Sequence, residues 1–278
     1  MPELPEVETT KRGIHPFLLN QTIECIHVRQ TKLRLPIPSD LSTSCADQKI
    51  LDIARRGKYL LLQLSSGTLL IHLGMSGHLR LDHLHSPIRK HDHVDLYLSN
   101  RFILRYHDPR RFGLWLYLTE PPCQHPLLTR LGPEPLSSDF NGDYLYDRAQ
   151  GKTQSIKSFI MNNHVVVGIG NIYATESLFL AGIHPQAAIG LITKEQFILL
   201  SNKIKQVLQQ AINAGGTTLR DFYASDGKPG YFSAALNVYG RQGLPCPACH
   251  ERILAMTISG RNSAFCSKCQ PMQPLRVC

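Results

Sequence analysis

Two groups of residues in this 278-residue chain have the types and spacing for chemistry. Cys246 and Cys249 form one CxxC pair and Cys266 and Cys269 a second, with residues 250–265 between them. Each CxxC presents two thiolates from one tight turn, and two such turns facing each other complete a tetrahedral S4 site, the closed geometry of structural Zn2+. A redox role is disfavoured because neither pair lies in a βαβ context. His250 stands where such knuckles often have Gly, and is read as a residue in left-handed backbone rather than as a replacement ligand. Between the pairs, SGRNS presents Arg261, a phosphate-binding candidate whose ordinary alternative is a solvated charge.

The second group is the N-terminus. Met is normally removed before a small residue such as Pro2, which leaves a secondary amine. An α-amino group titrates near about pH 8, so part of it is unprotonated at neutral pH and able to attack an electrophilic carbon, giving an iminium ion. Glu3 follows at the same centre, and Glu6 lies one helical turn on, both suited to moving protons. The ordinary alternative, which composition alone favours, is that Pro2 and Pro5 start a helix whose dipole the glutamates satisfy. Other motifs fail. GKT at Gly151 would be a phosphate loop only with glycine at Tyr146, and GIGN at Gly168 would need glycine at Tyr173. His91-Asp92-His93 supplies two ligands from one strand, an incomplete metal site, so the pair is assigned to phosphate contact or packing.

The elements that must position these groups follow from patterning. Residues 6–18 read as a helix with Val7, Ile14 and Leu18 on one stripe. KILDIA, KYLLLQL, TLLIHL, HVDLYL, FILRYH and GLWLYL then read as short strands of a sandwich or barrel. In HVDLYL, Val94, Leu96 and Leu98 alternate with Asp95 and Tyr97, as in a half-buried strand. Residues 119–150, with PP, HP, GPEP and NGD, read as a linker holding a domain boundary. SIKSFIMNN, NIYATESLFLAGI and the segment 193–215 read as helices, the last with a core stripe of Phe197, Leu200, Ile204, Val207, Leu208 and Ala211. Segregated strands and helices make the fold class α+β.

Thirty Lys and Arg against 21 Asp and Glu give a net charge of +9, which favours a polyanion such as nucleic acid or an acidic membrane surface. Charged residues are only 18% and hydrophobic ones 42%, so the charge belongs to folded domains rather than a basic tail. No stretch approaches the roughly 20 apolar residues of a membrane helix, and no secretory signal opens the chain, so the expected location is cytoplasmic.

MPELPEVE, RRGKYLL, HLGMSG, KHDHVDL, DPRRFG, LGPEPL, GIGNIYATES, GGTTLRDF, SDGKPGYF, VYGRQG and the cysteine pairs occur in the order seen in the bacterial formamidopyrimidine-DNA glycosylase family, which also contains endonuclease VIII. The chain resembles that family from residue 1 to about residue 270. The resemblance implies an N-terminal helix and β-sandwich catalytic domain (1–130), a helix–two-turns–helix domain with a lesion loop (131–235), and a zinc finger (236–278). It implies a monomeric base excision repair enzyme acting on double-stranded DNA that contains oxidised purines, 8-oxoguanine and formamidopyrimidines. The damaged nucleotide would be flipped out of the stack, with Met75, Arg110 and Phe112 filling the gap. Pro2 would attack the deoxyribose and expel the base through a Schiff base, Glu3 would protonate or position the opened sugar, and Lys58 would assist proton transfer. Arg261 would hold the flanking phosphate and take part in δ-elimination. His91, Arg110, Lys152 and Asn171 match positions that contact backbone phosphates, and the loop Thr217–Tyr231 matches the segment that closes over the extruded purine.

His250 and the C-terminal QPMQPLRVC depart from the family pattern. Two alternatives stand beside this reading. An endonuclease VIII-like enzyme would prefer oxidised pyrimidines, against which Leu4 argues because that branch tends to have glycine there. A zinc-containing DNA-binding protein without catalysis would leave the joint presence of Pro2, Glu3 and Lys58 unexplained.

Overall fold

A computed structural model of the chain describes residues 2–216 and 236–272. Helix α1 (Leu4–Leu18) starts where a capping box at Glu3 and a proline in the first turn dictate: the Glu3 amide donates to Glu6 Oε2 at 2.8 Å. Val7, Ile14 and Leu18 are fully buried along one stripe, as the spacing predicts. Strand β1 (Ile23–Val28) and the short α2 (Leu41–Cys45) follow, then β2 (Ile50–Arg56), β3 (Tyr59–Leu64), β4 (Gly67–His72), β5 (His78–His83), β6 (Asp92–Leu98), β7 (Phe102–His107) and β8 (Leu114–Leu118). All six apolar runs predicted as strands are strands. β1 and β5 escaped the pattern because IECIHV and HLRLDH interleave charged and imidazole side chains with their apolar ones.

The eight strands form two antiparallel four-stranded sheets, ordered β1-β6-β7-β5 and β2-β3-β4-β8. Ile26, Leu79, Leu96 and Leu104 of the first share one core with Ile53, Leu60, Leu62, Leu69, Ile71 and Trp115 of the second, and the apolar stripe of α1 joins it. This is the sandwich expected: two sheets whose apolar faces are removed from water by each other.

The other face of the first sheet departs from the expected half-exposed strand. Asp95 is fully buried, because Arg105 donates to both of its oxygens at 2.8 and 2.9 Å and Arg29 pairs with it from β1's end. Arg80 likewise pairs with Asp92 at 2.7 Å, and Arg105 with Asp82 at 2.8 Å. Charges from β5, β6 and β7 therefore cover that face themselves, each satisfied by a neighbour across the ladder.

Residues 119–150 are not a bare linker. They contain α3 (Pro126–Thr129) and α4 (Gly142–Ala149), the latter started by Asn141, whose side chain accepts from the Tyr144 amide. The chain divides into two compact units, Met1–Arg130 with Ile212–Ser233, and Leu131–Ala211 with Ala234–Cys278. In the second unit α5 (Ile156–Ile160), α6 (Asn171–Leu180) and α7 (Lys194–Asn213) precede a hairpin of β9 (Leu254–Ile258) and β10 (Arg261–Phe265). The predicted stripe of α7 from Phe197 to Ala211 is buried, and Phe179, Val238, Ile253 and Ala264 form a small core around Cys246 and Cys266.

Burial pushes the Asp95 carboxyl up, but hydrogen bonds from Arg29 and Arg105 outweigh it and hold it below the usual carboxylate range. A carboxylate lowered in the folded state contributes stability that is complete above its unfolded pKa and is lost as pH falls through the lowered value. Asp95→Asn removes the charge that Arg29 and Arg105 share and is expected to cost about 3–5 kcal/mol in urea denaturation at pH 7, with the difference from the parent chain shrinking in strong acid.

Candidate active site and metal centre

Pro2 and Glu3 are buried at the start of α1, which lies against β2, β3 and β5. Glu8, one turn into the helix, is the anchor. Its Oε2 accepts from Arg55 Nε at 2.9 Å, and its Oε1 receives Lys11 and Arg12 at 3.0 Å. Burial raises this carboxyl, yet the bonds from Arg55, Lys11 and Arg12 prevail and bring it down to about 2. Arg55 also donates to the Gly57 carbonyl at 3.1 Å, so one side chain ties α1 to the β2–β3 turn. Lys58, half-buried, is the next residue of that turn. Its charge is felt by His72 on β4: burial first, then the charges of Lys58 and Arg34, push that imidazole down to about 4. His72 is thus neutral, and its Nδ1 accepts the Gly74 amide at 3.0 Å. Over Glu6, Gly216 takes φ +84°, where a Cβ would stand 3.3 Å from Glu6 Oε1. The backbone therefore approaches that carboxylate with little room for a side chain.

Met75 and Phe112 are 38% and 44% exposed, which removes the ordinary alternative that they are core. The Arg110 guanidinium sits over the Phe112 ring, 5.2 Å from its centroid, so these two residues present an apolar and cationic surface. The histidine pair divides. His93 is buried, its Nε2–H donating to the Asp108 carbonyl at 2.8 Å, whereas His91 remains partly exposed just before β6 with its ring 5.7 Å from that of His107.

In the second unit three bonds fasten the β9–β10 hairpin to the helices. Asn171, the first residue of α6, donates to the Asn262 carbonyl at 3.0 Å, Lys157 Nζ donates to Ser263 Oγ at 2.7 Å, and the Ser158 and Ser259 hydroxyls meet at 2.9 Å. This brings Asn171 beside the exposed Arg261 at the hairpin tip. Sequence reasoning missed Lys157, a fully buried lysine. Its one signal is a charge inside the apolar run IKSFI. It also missed Glu176, whose carboxylate accepts from the amides of Asn237, Val238 and Tyr239 and from the Asn237 side chain at 2.8–2.9 Å, fixing the chain where it re-enters the described residues. Lys152 is exposed, with its ammonium 5.5 Å from the Phe159 ring centroid. The predicted lesion loop, Thr217–Tyr231, lies outside the described residues.

The sulfur atoms of Cys246, Cys249, Cys266 and Cys269 all lie within 4.8 Å of one another, with Cys246–Cys269 at 3.8 Å and Cys249–Cys266 at 3.4 Å. Thiolates placed tetrahedrally around a metal at about 2.3 Å stand about 3.8 Å apart, so the cluster fits a metal ion. His250 has φ +62° and its amide donates to the Cys246 carbonyl at 2.9 Å, the left-handed position expected, and it does not belong to the ligand group.

Comparison with known proteins agrees with this geometry. Residues 1–115 match the model of the formamidopyrimidine-DNA glycosylase N-terminal domain, and residues 131–223 match that of the formamidopyrimidine-DNA glycosylase H2TH domain. The chain is 60% identical over 272 residues to the formamidopyrimidine-DNA glycosylase of Legionella pneumophila, covering 98% of this chain and 99% of the relative. It is 54% identical to that of Hydrogenovibrio crunogenus, with 97% and 96% covered. Among solved structures, the MutM (Fpg) protein from Thermus thermophilus superposes with a TM-score of 0.89 at 36% identity, covering 98% of this chain and all of the other. A Lactococcus lactis Fpg mutant in complex with a Fapy-dG containing DNA superposes with a TM-score of 0.91 at 33% identity, covering 97% and 100%. The chain belongs to the formamidopyrimidine-DNA glycosylase family and is an enzyme of that class. Among the described residues no helix is long and apolar enough to cross a membrane.

A non-glycine residue in left-handed backbone carries a cost of about 1 kcal/mol. His250→Gly is therefore expected to stabilise the cysteine module by about that amount, read as slower metal release to a chelator with no loss of bound metal at equilibrium.

Proposed function

We propose that this chain is a bifunctional DNA glycosylase and AP lyase that removes oxidised purines from double-stranded DNA in base excision repair. The observation that carries the reading is the Glu8–Arg55–Gly57 link, which fixes the helix bearing Pro2 and Glu3 to the turn bearing Lys58. An amine, a carboxylate and a lysine on one rigid frame are the parts that an imine-forming excision needs. The Lactococcus neighbour's complex with a Fapy-dG containing DNA supports the substrate class.

The chemistry begins once Met1 has been removed. The lesion nucleotide leaves the stack, and Met75 and Phe112 replace the lost stacking while Arg110 hydrogen-bonds the unpaired partner base. The Pro2 nitrogen bonds to C1′ as the glycosidic bond breaks and the base leaves with a proton that Lys58 helps to move. Glu3 protonates or positions the sugar oxygen as the ring opens to the iminium. That cation acidifies C2′. Loss of a C2′ proton expels the 3′ phosphate by β-elimination, and a second elimination, in which Arg261 takes part, expels the 5′ phosphate. His91, Arg110, Lys152 and Asn171 hold backbone phosphates, Asn171 from the first residue of a helix whose N-terminal amides favour an anion. The four cysteines hold one structural Zn2+, which supplies the cross-link of the β9–β10 module and no step of the reaction. In this reading residues 1–130, 131–235 and 236–278 serve as catalytic, helical and zinc-finger segments of a monomer acting in the cytoplasm.

Borohydride reduction of the Met-processed protein on a duplex with 8-oxoguanine opposite cytosine is expected to trap a covalent adduct that Pro2→Gly strongly weakens. Preferential trapping on dihydrouracil would move the chain to the endonuclease VIII branch. Binding without trapping on either duplex would replace the enzymatic reading by a DNA-binding one. Elemental analysis is expected to find one zinc per chain. Cys249→Ser should lose it together with salt-sensitive DNA binding, because structural zinc and folding of such modules are one equilibrium.

A further inference from the structure

Asp108 has no part in the chemistry above, yet it is fully buried and gathers bonds from both loops that carry the exposed Met75, Arg110 and Phe112. The Ser76 hydroxyl donates to its Oδ1 at 2.8 Å and the Arg110 amide to the same oxygen at 3.2 Å. The Tyr106 hydroxyl and the Gly113 amide each donate to its Oδ2 at 2.9 Å. Ser76 is the residue after Met75, and Arg110 and Gly113 bracket Phe112. One carboxylate thus holds the Ser76 side chain of one loop and the backbone amides of Arg110 and Gly113 in the other.

The loops also touch directly. Gly74 takes φ +74°, and a Cβ there would lie 2.5 Å from the Phe112 carbonyl carbon, so the residue before Met75 meets the backbone of Phe112 with no space for a side chain. Beneath them Tyr106 is fully buried, its hydroxyl 3.1 Å from the Leu73 carbonyl as well as bonded to Asp108. On the far side, His93 holds the Asp108 carbonyl. Hydrogen bonds in a buried site are costly to break singly, because the group left behind has no water to turn to, so this arrangement resists independent motion of the two loops.

We propose that Asp108 is a positioning residue that joins the loops 73–77 and 108–113 into one rigid wedge, so that Met75, Arg110 and Phe112 enter the duplex as a unit. The proposal rests on the glycosylase reading above. It concerns displacement of a paired base and not the imine chemistry, and this separates it from a role in the fold alone.

The test uses the full-length Met-processed chain on three substrates: 8-oxoguanine paired with cytosine, 8-oxoguanine inside an unpaired bubble, and an abasic site in single-stranded DNA. Asp108→Asn replaces one accepting oxygen by a donor and sets one loop loose. A misplacement of this kind is expected to lower single-turnover excision from the paired duplex by about 10- to 100-fold. Ser76→Ala removes the hydroxyl that donates to Asp108 and accepts from the Arg110 amide at 3.2 Å, and leaves the buried carboxylate in place, so it remains informative if Asp108→Asn does not fold; an effect of about threefold is expected. With both variants, excision from the bubble and borohydride trapping on the single strand should stay within about twofold of the parent. Undiminished excision from the paired duplex would overturn the proposal. So would an equal loss on all three substrates, since Asp108 would then serve only the fold. Failure of the parent chain to trap on any substrate is a separate result, seen without a variant, and overturns the glycosylase reading together with this proposal.

Discussion

The N-terminal unit depends on a buried carboxylate, Glu8, being held ionised by three cations. A charge taken from water is tolerable only where its lone pairs are filled, and Glu8 meets that condition with Lys11 and Arg12 from its own helix and Arg55 from the neighbouring strand. The local pairs fix the rotamer and the distant one fixes the helix. Because Arg55 also grips the Gly57 carbonyl, one side chain ties the helix that begins at the chain's first residues to the turn before Lys58.

The same device recurs wherever loops must be placed. Asp108 gathers two turns, Glu176 gathers the backbone amides of residues 237–239, and Asp95 gathers two arginines. In each case the acceptor is a buried carboxyl with several donors, so the groups around it have one arrangement that satisfies all of them. The cysteine cluster does the equivalent with thiolates. Helices and strands set the frame, and these few anions set where the irregular segments lie on it.

This division explains what could be read from the sequence. Strands β2, β3, β4, β6, β7 and β8 and the stripes of α1 and α7 were legible because burial of apolar side chains has a local period. The cysteine cluster was legible because metal geometry constrains spacing within each pair. The role proposed for Met75 and Phe112 comes only through resemblance, since nothing local distinguishes an exposed Met75 or Phe112 from a core one. Asp95 was misread as facing water because its partners, Arg29 just past β1 and Arg105 on β7, are distant in sequence. Lys157 and Glu176 left almost no local trace: Ser263 is 106 residues from Lys157, and the amides Glu176 receives are 61–63 residues away. Long-range polar satisfaction has no periodicity.

The exposed Met75 and Phe112 have a thermodynamic consequence of their own. Apolar side chains left in water forgo the stabilisation that burial would give each of them, a penalty the free protein carries continuously. In return the loops beneath them are held in place by the bonds to Asp108, so the conformational entropy of arranging them is lost once, when the chain folds. In the proposed reading, where these side chains enter the duplex, the time spent at each undamaged site is then governed by the base pair's own resistance to opening rather than by rearrangement of the protein.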